Sequence, residues 1–99
     1  MENFNLDIKK INEACQTYHV DTLFLFGSHA KGTFTSKSDY DFLVYFKPID
    51  LLEYGDNFFE FTYELEKIVG KKVDLVSGKA MKNPFFIKEV EATKRLIYG

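Results

Sequence analysis

Asp39 and Asp41 flank Tyr40 at the entrance to the apolar run Phe42-Leu43-Val44-Tyr45-Phe46. In a strand, alternate side chains leave the same face, so the two carboxylates would project together, about 7 Å apart. At an effective dielectric of about 20 they would repel by about 2.4 kcal/mol. Two aspartates that simply face water offset that cost by hydration. A divalent cation offsets it chemically: hard oxygen ligands suit Mg²⁺, which needs only one or two carboxylates plus the phosphates of a substrate.

The surroundings favour the second reading. Gly27 and Ser28 end the apolar run "DTLFLF" at the mouth of a very short helix reaching about Gly32, with Ser28 as its expected cap. Free backbone N–H groups there suit an anion, glycine lets a phosphate approach the chain, and the serine hydroxyl adds a donor. Asp74 interrupts another apolar strand, "KKVDLVS". It is either an exposed edge residue or the third member of a carboxylate cluster, because a charge in a hydrophobic strand needs such a reason. Three carboxylates around two metal ions, beside a phosphate cradle, suit phosphoryl or nucleotidyl transfer. One ion would serve the triphosphate. The other would lower the pKa of an acceptor hydroxyl, with Asp74 as its ligand and as candidate base.

Composition closes off other classes. A chain of 99 residues with 45% hydrophobic content, 11 Phe and 6 Tyr can bury a core, but only about one domain's worth. A net charge of −2 argues against a broad nucleic-acid surface, which needs many Lys and Arg on phosphates. With one cysteine, Cys15, and two separated histidines, His19 and His29, no disulfide and no familiar zinc spacing arises. Cys15 reads as a small core residue. Gly27 and Gly32 have P-loop spacing, yet Thr33 and Phe34 stand where Lys and Ser/Thr are required. No run approaches a membrane span, and "MENFNLDIKK" lacks a signal peptide's apolar region, so a cytoplasmic protein is expected.

The elements that must position these residues follow from periodicity. Phe4, Ile8, Ile11, Cys15 and Tyr18 form one stripe of a helix over residues 3–18, with Asn3 as its cap. Strands are expected at 21–26, 39–46 and within "KKVDLVS", the first apolar on both faces and therefore central. Phe58, Phe61, Leu65 and Ile68 mark a helix over about 52–69 that stops at Gly70. Asn83-Pro84 opens another carrying Phe86, Ile87 and Val90, followed by a possible edge strand "RLIY". The fold class is α/β: a small mixed sheet of about four strands flanked by helices, one domain over residues 1–99.

Gly27-Ser28, ten intervening residues, then Asp39-Tyr40-Asp41 resembles the G-S-x10-D-x-D signature of the polymerase-beta-like nucleotidyltransferase superfamily, with Asp74 where its third carboxylate falls. The short length is most similar to the minimal nucleotidyltransferases (MNT), commonly antitoxins paired with a small helical HEPN ribonuclease toxin. That resemblance implies ATP as donor, Mg²⁺ as cofactor, and AMP transfer to a tyrosine of the toxin. Many relatives carry arginines after Gly-Ser, where this chain has His29 and Lys31. Lys31 keeps a charge for a phosphate but lacks arginine's bidentate fork.

Two rival functions remain open at this level. The domain could neutralise a partner by occlusion, with its carboxylates idle, or it could modify a small molecule, with a second chain completing the pocket. Glu53, Asp56, Glu60 and Glu64 make an acidic stripe on the 52–69 helix. Phe59 and Tyr63 beside it either close the core's edge or form an aromatic patch for a basic partner.

Overall fold

The computed structural model describes residues 6–99. Helix α1 (Ile8–Thr17) buries Ile11, Ala14 and Cys15, and begins where the Asp7 carboxylate accepts the Lys10 N–H at 3.2 Å. It therefore starts later than the apolar stripe implied. An ionised acceptor at Asp7 satisfies an orphan N–H and complements the helix dipole, which makes it a natural start. Asn3 and Phe4 lie outside the described residues.

The remaining elements are β1 (Val20–Phe26), α2 (Ser28–Lys31), β2 (Tyr40–Phe46), α3 (Leu51–Val69), β3 (Val73–Ser77), a 3₁₀ turn at Gly78–Ala80, α4 (Pro84–Thr93) and β4 (Arg95–Tyr98). The strands form one mixed sheet in the order β3-β2-β1-β4. β1 is antiparallel to both β2 and β4, while β2 and β3 are parallel. Parallel neighbours need a long crossover, and α3 supplies it. β1, apolar on both faces, is central as its composition requires, and "RLIY" is an edge.

Alternation along the strands makes two unequal cores. Leu23, Leu25, Phe42, Val44, Phe46 and Leu75 point to the side covered by α1 and α3, where they meet Ile11, Phe61 and Leu65. Phe42 and Phe61 are fully buried, each contributing about 1.5–3 kcal/mol. On the other side, Phe26, Leu43 and Val90 form a smaller core with Phe24, Tyr45, Val76 and Met81. Asp41 and Asp74 share the parity of Leu43 and Val76, so they leave the sheet on this more thinly covered side.

The helix ends follow their sequence signals. Asp50 accepts the Leu52 N–H and Gly70 takes the left-handed conformation that ends α3. Asn83 accepts the N–H groups of Phe85 and Phe86, with Pro84 in the first turn of α4. Phe59 and Tyr63 are exposed on α3, and so do not close the core. Among the described residues no helix is long and apolar enough to cross a membrane.

Candidate active site

The parallel register of β2 and β3 sets Asp41 directly beside Asp74. Neighbouring strands lie about 4.8 Å apart, so the two side chains emerge side by side. Asp39 precedes β2, which opens at Tyr40, rather than belonging to the ladder. Asp39 and Asp74 are exposed and Asp41 is half-buried. Asp74 is thus an exposed residue of the edge strand that stands beside Asp41. Burial pushes the Asp41 carboxyl above its ordinary range, the charges of Asp74 and then Asp39 push it further, and His29 pulls the other way. Asp41 therefore feels the charges of both other aspartates.

Gly27 fits against this group. Its φ of +75° and ψ of −153° belong to a region that side-chain-bearing residues avoid. A Cβ there would overlap Asp41 Oδ2 and stand 3.2 Å from its Cγ. The glycine therefore makes room for a carboxylate. Its N–H donates to Thr93 Oγ1 at 3.3 Å, while the Thr93 hydroxyl donates to the Glu89 carbonyl at 3.1 Å. The Gly27 N–H is therefore already bonded. Thr93, buried at the end of α4 and 66 residues away in sequence, has no surrounding motif that marks it.

Ser28 is the first residue of α2, not its cap; Gly27 occupies the cap position and makes no side-chain bond there. The first N–H groups of such a turn have no acceptor within the helix, so Ser28 still presents donors at the carboxylates' edge. Lys31 points toward α4, where its Nζ meets Glu89 Oε1 at 3.2 Å. This ion pair was invisible in sequence because it spans 58 residues. His29 is buried, its ring stacked between Phe34 (4.5 Å between centroids) and Tyr40 (3.8 Å). Its Nε2 lies 3.2 Å from the Ser38 carbonyl, which can only accept, so Nε2 carries the proton.

The donor chemistry suits a hard divalent cation. Asp39, Asp41 and Asp74 form no ion pair and no side-chain hydrogen bond among the described residues. Nor do any three ligating side chains among the described residues converge enough to hold an ion by themselves. A cation here would take further oxygens from a substrate, as Mg²⁺ commonly does from phosphates.

Residues 9–99 match the family described as polymerase beta, nucleotidyltransferase. A Methanocaldococcus jannaschii protein named as a protein adenylyltransferase is 40% identical over 81 residues, which is 82% of this chain and 78% of that one. A toxin–antitoxin crystal structure with AMP-PNP superposes with a TM-score of 0.72 at 23% identity, over 95% of this chain and 74% of the other. Another similar structure is a Shewanella oneidensis complex of tri-AMPylated HEPN toxin with its MNT antitoxin. Its TM-score is 0.64 at 20% identity, over 98% of this chain and 73% of the other. These two structures share the fold.

Proposed function

The chain belongs to the polymerase beta nucleotidyltransferase family, and from that premise we propose that it transfers AMP from ATP to a hydroxyl of a partner protein, a tyrosine of a HEPN toxin, and so acts as an antitoxin. The observation that carries the reading is the register that sets Asp41 beside Asp74, with Gly27 left bare of a side chain against Asp41. The name of the M. jannaschii relative and the AMPylated toxin in the Shewanella complex support the acceptor class.

Asp39 and Asp41, with Asp74, would hold Mg²⁺, which when bound neutralises triphosphate charge and lowers the pKa of a nearby hydroxyl. Ser28 and Gly27 form the edge against which the triphosphate lies. Lys31 reaches a phosphate by leaving Glu89, an exposed pair worth less than about 1 kcal/mol. The acceptor oxygen bonds to the α-phosphorus, the bond from that phosphorus to the bridging oxygen breaks, and pyrophosphate leaves with the electron pair. Asp74, the more exposed partner of Asp41, takes the acceptor's proton.

Incubation with ATP, Mg²⁺ and the product of the neighbouring gene, followed by intact mass of both chains, tests this. Gain of whole AMP units on the neighbour is the expected result. A stable complex with no mass change would overturn catalysis in favour of neutralisation by occlusion.

A further inference from the structure

We propose that His29 is a positioning residue for Asp39. Residues 32–39 belong to no strand or helix, and all but Ser38 are exposed, yet this segment delivers Asp39 to the carboxylate group. Asp39 makes no side-chain bond of its own among the described residues. Its backbone must therefore be fixed through its neighbours, and His29 binds both of them. The ring stacks on Tyr40 at 3.8 Å with planes 12° apart, and Nε2–H donates to the Ser38 carbonyl at 3.2 Å. On its other face it stacks on Phe34 at 4.5 Å and 15°, so one imidazole clamps the beginning and the end of the segment.

The turn inside the segment closes on itself. Ser38 N–H donates to the Thr35 carbonyl at 3.1 Å and Thr35 N–H donates to Ser38 Oγ at 2.9 Å. The Lys71 ammonium donates to the Ser36 carbonyl at 2.8 Å, in a solvent-facing bond. These bonds give the turn its shape, whereas His29, only 6% exposed, fastens that shape to the sheet. Because His29 follows Ser28 directly on α2, the same ring ties the candidate phosphate edge to Asp39. A plain phosphate-binding cation at this position would not need to be buried between two aromatic rings.

This role rests on the adenylyl-transfer reading only where turnover is measured. Amide hydrogen exchange at Thr35, Ser38 and Tyr40 tests it without any reaction. In His29→Ala, exchange at these amides should accelerate about tenfold or more while Phe42–Val44 keep wild-type protection, and His29→Phe, which keeps the stack, should recover part of it. In the transfer assay, kcat should fall about 10- to 100-fold, as for a catalytic group displaced by about 1 Å, with KM for the partner protein little changed.

Should His29→Ala fail to fold, Phe34→Ala removes one face of the clamp at a half-exposed ring and should show the same pattern more weakly. Unchanged exchange in Thr35–Tyr40 in a folded variant would overturn the proposal, as would faster exchange with unaltered kcat. A wild-type protein that transfers no AMP would overturn the proposed function instead, and exchange alone would then decide the part played by His29.

Discussion

Substituting Gly27 by Ala puts the geometry of the site at risk in two separable ways. The backbone at φ +75°, ψ −153° costs a residue with a side chain about 1–3 kcal/mol. The added methyl also overlaps Asp41 Oδ2, and moving that carboxylate adds about 1 kcal/mol more, toward the low end of overpacking because Asp41 is half-exposed and can turn. A total of about 2–4 kcal/mol should lower Tm by at least about 8 °C in a chain of this size. Gly32→Ala is the control, since Gly32 also has a positive φ, +79°, but nothing lies within 4 Å of its would-be Cβ. It should cost only about 1 kcal/mol, the left-handed penalty less the entropy it removes from the unfolded chain.

Calorimetry gives the stabilities, and a filter assay for AMP on the partner gives the rates. Gly27→Ala should lose about a hundredfold in transfer because Asp41 has moved, whereas Gly32→Ala keeps it. Adding Asp41→Ala to Gly27→Ala should recover the overlap part of the stability and none of the rate. If Gly27→Ala matched Gly32→Ala in Tm and retained full transfer, the packing of Gly27 against Asp41 would have no functional meaning.

Further outcomes follow from the same contacts. The folded chain binds the Asp41 proton more tightly than the unfolded chain does, so its contribution is present below the ordinary 3.8 and is lost as pH rises through the raised folded value. Asp41→Asn should therefore have a higher Tm than wild type at pH 7 without metal, and the gap should close toward pH 3; a lower Tm at pH 7 would refute the crowding of charge. Lys31→Met should change stability by less than about 0.5 kcal/mol, because its pair with Glu89 is exposed, yet raise KM for ATP. Burial pushes the Cys15 thiol up to about 12, so thiol reagents should label native protein only as fast as it opens, and denaturant should restore ordinary labelling.

Much of the site was legible because its signals are local. Strand alternation put Asp41 on its side of the sheet, although Asp39, expected on the same strand, lies just before the ladder, and the apolar run around Asp74 marked that residue as out of place. Its partnership with Asp41 depends on register, which a period of two leaves free to slip by two residues, and the resemblance to a known signature narrowed it. Long-range polar contacts left no trace in the pattern. Thr93 and Glu89 meet Gly27 and Lys31 only because α4 packs back across the small core. In the sequence His29 stands where many relatives carry an arginine, yet its surroundings are aromatic, a fact that only the folded loop brings together. The start of α1 differed because apolar periodicity runs past Asp7, while the backbone ends where a side chain caps it.

The most direct test uses ATP labelled at the α- or the γ-phosphorus, with wild type and with Asp39→Asn, Asp41→Asn and Asp74→Asn at matched folded fraction. Label from the α position alone should reach the partner protein, and each substitution should reduce its rate by at least about a hundredfold. Label arriving from the γ position, or undiminished transfer by Asp41→Asn, would contradict the assignment of the three carboxylates to nucleotidyl transfer.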